Sequence, residues 1–442
     1  MTTNRFLCKG LYGCLCLLLF SCGEVQKENT SVASTGYLPD LNILFEDYEK
    51  MERNERYDEI AREIFEANID LHSSELYMEA ASLYQLADKL DSTVLLIHKA
   101  IDHGMANPTI LKQYPGLVEL NTKEMRHLKK RLDSLEVKLH NISNFTLEMR
   151  AMDQFWPYFE EAKANPDSAK QYLKNYILLG PPEIRDYYAI RYYNLENMYG
   201  QMINGSPKYY TYLRGYLRKQ SAEGLKQQTK IAMQTFKTLY PNAVFPKVYM
   251  VPGLLNSGGT ASEMGLFIGG DMYGRSDGMP VMELNDWQKE SIMEMNMLPQ
   301  LILHELMHFQ QNYGDEVNRD KVLYKIIEEG VCDFLVELST GMPIQSAQLD
   351  YLNSPENFEI ISADLQQELF SEDLSNWLYN GGSIEDRPHD LGYGLGYLIS
   401  KSYYQNAVNK KKALENLLTT NDMRSILEAS DYAYLLVVNS NS

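Results

Sequence analysis

The chain is short of three things, and each shortage excludes a class of function. It is short of positive charge: 60 Asp and Glu against 41 Lys and Arg leave a net charge of −19. Phosphate recognition needs a dense basic face, none can be read here, and no nucleic-acid partner is expected. It is short of cysteine, because four of the five (Cys8, Cys14, Cys16 and Cys22) fall in the first 22 residues and only Cys332 lies beyond. It also lacks any apolar run approaching the about 20 residues that a membrane-spanning helix requires. What remains, 44% hydrophobic and 23% charged residues over 442 positions, is the composition of an ordinary globular chain long enough for two or three domains.

The first residues carry an address. Arg5 and Lys9 precede a short apolar run, Leu11 to Phe20, which ends in Leu19-Phe20-Ser21-Cys22-Gly23. Such a run suits a secretion signal. Its end resembles a bacterial lipobox, although Phe20 departs from the usual residue at its position; a plain secretion signal followed by an incidental cysteine is the alternative. The lipobox reading predicts a signal peptide over 1–21, cleavage before Cys22, and lipidation of Cys22. Several acyl chains on one residue, at about 0.8 kcal/mol per buried CH₂, make an essentially permanent membrane anchor. With Cys22 lipidated, Cys332 has no partner for an intramolecular disulfide. Residues 22–41 are polar and read as a flexible tether.

From 42 to 140 the pattern is helical, with little Pro or Gly. Leu76, Ala80, Leu83, Tyr84 and Ala87 mark one face; Val94, Leu95, Ile97, Ala100 and Ile101 mark the next, closed by Gly104. The pair resembles a tetratricopeptide repeat, with a generic helical bundle as the alternative. A protein partner is expected on this helical region. A second domain is expected over 145–442. It opens with aromatic-rich helices, whose Trp156, Phe159, Tyr176 and Tyr192 are expected in a core. Val244 to Val251 and Gly265 to Gly270 read as strands around a Gly258-Gly259-Thr260 turn, and long helices follow from Trp287 to Tyr313 and from Val317 to Thr340.

The chemistry is concentrated in Leu301-Ile302-Leu303-His304-Glu305-Leu306-Met307-His308. Residues i and i+4 share a helix face, so His304 and His308 can aim at one metal ion, while Glu305 can reach water beside it. Zn²⁺ takes neutral imidazoles, and a catalytic site needs a third protein ligand plus water. Two histidines and a glutamate on so apolar a helix need partners to justify their burial.

Downstream, Ile327-Glu328-Glu329-Gly330-Val331-Cys332-Asp333 resembles the thermolysin-like (gluzincin) metallopeptidases, whose second helix carries a Glu ligand and an Asp four residues later. That resemblance implies Glu329 as the third zinc ligand, with Asp333 accepting a hydrogen bond from the outer nitrogen of His304. Glu328 competes for the ligand role, but only Glu329 forms an i,i+4 pair with Asp333. Gly330, costly inside a helix, suggests a close backbone approach. Further on, Arg387-Pro388-His389-Asp390-Leu391-Gly392-Tyr393-Gly394-Leu395-Gly396-Tyr397 resembles the predicted zinc-protease domains of bacterial lipoproteins. By that resemblance Tyr393 is the first candidate to donate to an oxyanion, followed by His389 and Arg387; a core tyrosine beside packing glycines is the plain alternative. The likeness runs from Phe145 to Tyr404 and extends to the gliding-motility lipoproteins of the Bacteroidetes.

The expectation is therefore an α+β, mostly helical, gluzincin-like domain with a small sheet, preceded by an all-α tetratricopeptide-like domain. The chain is expected in the bacterial cell envelope, lipid-anchored to a membrane, with the outer membrane and a periplasmic or surface-facing side favoured. It would hydrolyse peptide or protein substrates with Zn²⁺ and Glu305 as general base. Two other readings stand beside it: a zinc-holding lipoprotein serving as an assembly or scaffold factor, and a scaffold whose helical domain does the work while the HExxH domain is degenerate.

Overall fold

The computed structural model describes residues 34–436 except 47, 114–116, 118–120, 220–221, 315–318, 381–383 and 385. The expected signal peptide and Cys22 lie outside the described residues. No described helix is long and apolar enough to cross a membrane. The architecture is α+β and mostly helical, with one four-stranded sheet among the described residues. The chain divides into two compact units, one built from 34–227 and 245–299, the other from 228–244 and 300–436.

The first unit begins with helices α1 (Tyr57–Ala67), α2 (Ser74–Leu86), α3 (Leu90–Asp102) and α4 (Lys123–Leu139). Ser73 and Thr122 start α2 and α4 by accepting backbone N–H groups of the first turn, as such caps do. Helices α2 and α3 form a hairpin that buries Ala80, Ala81, Ile97 and Ala100 completely. The expected boundary at 140–145 falls inside this unit. Buried Asp186 accepts from Ser73 Oγ at 2.7 Å and Ser74 N at 2.6 Å, and also bonds Ser74 Oγ. Residues 34–41, read as the end of the tether, are seated here too. Ser34 N donates to Asn175 at 2.9 Å, Asp40 caps a short helix, and Leu41 is buried.

Strands β1 (Leu147–Glu148), β2 (Val248–Val251), β3 (Gly259–Ala261) and β4 (Leu266–Gly269) lie in the order β1-β2-β4-β3. β2 is parallel to β1 and β4, with Val248 opposite Leu266 and Val251 opposite Gly269; β3 runs antiparallel to β4. The strand expected from Val244 starts only at Val248, after Pro246, which has no N–H to give a ladder. The glycine turn expected at 258–260 is in part the edge strand β3. Helices α5 (Arg150–Ala164) and α6 (Ala169–Leu179) supply the aromatic core. Phe155, Phe159, Tyr176 and Tyr210 are fully buried there. The two tyrosine hydroxyls both find acceptors: Tyr176 donates to Ala151 O at 2.9 Å and Tyr210 to Gly253 O at 2.7 Å.

The second unit takes most of α7 (Ala222–Leu239), then α8 (Leu298–His308), α9 (Val322–Thr340), α10 (Ala347–Leu352) and α11 (Leu391–Asn406). The long helix expected from Trp287 is interrupted. Asp286–Ser291 is a separate piece, and Met293 N bonds Met272 O at 2.9 Å, which pulls the segment out of helical geometry. α8 then starts with Pro299 in its first turn, where a missing N–H costs nothing. Helices α9 and α11 meet backbone to backbone. A Cβ on Gly330 would stand 1.9 Å from Gly396 C, and one on Gly396 1.6 Å from Ile326 O. The close approach expected at Gly330 is thus an axis on which two helices cross without a side-chain layer.

Candidate metal centre

Three donor atoms converge where α8 passes α9. His304 Nε2 and His308 Nε2 stand 3.2 Å apart, and Glu329 Oε2 lies 3.4 Å from the first and 3.3 Å from the second. Glu329 is fully buried. Its neighbour Glu328 faces another way, pairing with Lys325 Nζ at 2.6 Å.

Each outer nitrogen has an acceptor of its own. His304 Nδ1 is 2.8 Å from Asp333 Oδ1, and a carboxylate can only accept. His308 Nδ1 is 2.9 Å from Gln311 Oε1. Gln311 is oriented in turn by its Nε2, which donates to Glu328 O at 2.7 Å and to Cys332 Sγ at 3.3 Å. When neutral, both rings therefore carry the proton on Nδ1 and turn Nε2 lone pairs inward, toward a third lone pair on Glu329.

Three acceptors facing one point repel unless a cation or a shared proton lies among them. Ligands held at about 2.0–2.1 Å by a tetrahedral ion stand about 3.3–3.4 Å apart, which is the size of this triangle. The donor set therefore fits Zn²⁺. Without a metal, protons on the rings meet the same need. Burial opposes a charge on either ring, yet Asp333 with Glu329, for His304, and Cys332 with Glu329, for His308, hold the imidazoles well above their ordinary range. Burial also opposes ionisation of Glu329, and the two imidazoles overcome it, keeping the carboxyl below the usual range. Cys332 Sγ comes within 4.8 Å of both histidines and could complete a set with them. Glu329 is the better donor, because its Oε2 is nearly equidistant from the two Nε2 atoms, whereas burial pushes the Cys332 thiol up.

Around the triangle, Glu305 is buried on α8 next to His304. Tyr393, half-buried on α11, has its ring centroid 5.9 Å from that of His304. Burial and then the Glu329 charge push its phenol well up, so it is an O–H donor at neutral pH. His389 is half-buried before α11, with its carbonyl accepting from Gln348 at 2.8 Å. Arg387 is engaged by Asn376 O at 2.8 Å and lies over the Trp377 ring.

Two residues at this centre have no place in the sequence expectation. Gln311 follows His308 by three residues, so one helical turn could have marked it. Tyr379 had no such signal. Its hydroxyl donates to Glu329 Oε1 at 3.2 Å from a left-handed backbone, φ 58°. That conformation costs an aromatic residue on the order of 1–3 kcal/mol.

Fold and site together define a mostly helical HExxH protein whose two histidines converge with a glutamate from the following long helix. Residues 134–354, half of the chain, match the family described as gliding motility protein GldB, and the chain belongs to that family. The match takes in α8 and α9 whole and stops short of Tyr379 and α11. Neither the curated proteins nor the solved structures give a match.

Proposed function

We propose that this chain is a lipid-anchored protein of the bacterial cell envelope that works with protein partners in gliding motility, and that it holds zinc through His304, His308 and Glu329. The observation that carries the reading is that the family match spans the whole lone-pair triangle. The motility assignment and the metal centre thus belong to one stretch of chain. Asp333 and Gln311 hold the two imidazoles in the ligating tautomer, and buried Glu329 supplies the charge.

Peptide hydrolysis is the second reading, favoured by buried Glu305 beside His304 and by Tyr393 over the same ring. Bound zinc would supply Lewis acidity, polarising a carbonyl and lowering the pKa of water to about 7. Glu305 would take the attacking water's proton and pass it to the leaving amine. Tyr393 would donate to the developing oxyanion.

Metal analysis, a peptidase assay and a cell-spreading assay on the parent and Glu305→Gln separate the two. Zinc in both proteins, no cleavage by either and normal spreading by the variant support the assembly role. Cleavage and spreading lost together in a zinc-loaded variant make the hydrolytic reading the correct one. A parent that takes up no divalent metal when zinc is supplied sinks the metal centre.

A further inference from the structure

We infer that Tyr379 is a positioning residue of the metal centre, fixing Glu329 so that a single oxygen faces the ion; the inference rests on the zinc reading above. The two oxygens of Glu329 are divided between different tasks. Oε2 faces both histidines at 3.3–3.4 Å, and Oε1 receives the Tyr379 hydroxyl at 3.2 Å. An O–H on Oε1 lowers that oxygen's basicity and sets the carboxylate's rotation, which leaves Oε2 as the one donor.

The surroundings of Tyr379 are built to hold it there. Asn380 N donates to Asp390 Oδ1 at 3.0 Å, and Asp390 N donates back to Asn380 Oδ1 at 2.8 Å. Gly392 N donates to Trp377 O at 2.9 Å, and a Cβ on Gly392 would stand 2.8 Å from that same oxygen. The loop carrying Tyr379 is thereby fastened to the first turn of α11. α11 is in turn in backbone contact with α9, the helix that carries Glu329. Phenol and carboxylate share one support, and the left-handed φ of 58° is held from both sides of the residue.

The test is zinc affinity, by chelator competition, and the cobalt-substituted absorption spectrum of the parent and Tyr379→Phe, which keeps the ring and the backbone. The expected result is zinc binding weakened about 10–100-fold with an altered cobalt d–d envelope. Affinity within about two-fold of the parent overturns the inference, whatever the spectrum. Weaker binding with an unchanged spectrum also overturns it, since Glu329 would then be aligned as before and the loss would come from the fold. A parent that binds neither ion overturns this inference and the zinc reading together, whereas a parent that binds both leaves the zinc reading standing however the variant behaves.

Discussion

Each imidazole at the centre leans on a different kind of acceptor, a carboxylate for His304 and an amide for His308. Gln311→Leu should therefore weaken zinc about 10–100-fold by freeing the His308 ring, and Gln311→Glu should recover part of the loss because it can still accept from Nδ1. Equal affinities for the Leu variant and the parent in chelator competition would remove Gln311 from the account. Glu305→Gln should keep zinc at the parent's stoichiometry, since it changes no ligand. His304→Ala should lose the metal, because two remaining protein ligands hold it poorly. At this scale the sequence was legible where a helical period connects the residues, as for His304 with His308 and Glu329 with Asp333. Tyr379 was illegible. It reaches Glu329 from 50 positions away through a left-handed loop, and no spacing rule encodes that.

At the scale of elements, the crossing of α9 and α11 makes a prediction whose sign runs against helix propensity. Alanine is favoured over glycine inside a helix by about 1 kcal/mol. Gly330→Ala should nevertheless destabilise the protein by about 3 kcal/mol or more, because its Cβ would meet backbone that cannot swing aside. A thermal midpoint at or above the parent's would refute the crossing. The same substitution should weaken zinc, since the axis also sets where Tyr393 and Tyr379 stand. The α2 start offers an independent check within the first unit. Asp186→Ala would strip acceptors from two serines and a backbone N–H, at a cost of about 2–4 kcal/mol in urea unfolding. Pattern reading found β2 and β4 from their apolar runs. It missed β1, because two residues show no period, and it ran α8 too far upstream, because nothing local signals the bond from Met293 to Met272.

For the whole molecule, the acidic balance suits a solvated surface, and membership of the gliding-motility family fits association with the cell envelope. Cys22→Ser should abolish lipid labelling and free the protein from membranes; unchanged fractionation would mean that something other than an acyl anchor holds it. The order in which the chain visits its two units has a further consequence. Residues 228–244 enter the second unit before 245–299 return to complete the first, and Gln310 holds Val244 by its N–H at 2.8 Å and its carbonyl at 2.9 Å. Neither unit is a continuous stretch of polypeptide. A chain made from its N-terminus cannot finish its first unit until residue 299 is present, and by then 228–244 is still waiting for 300–436. Both units therefore have to wait for most of the chain before they can be completed.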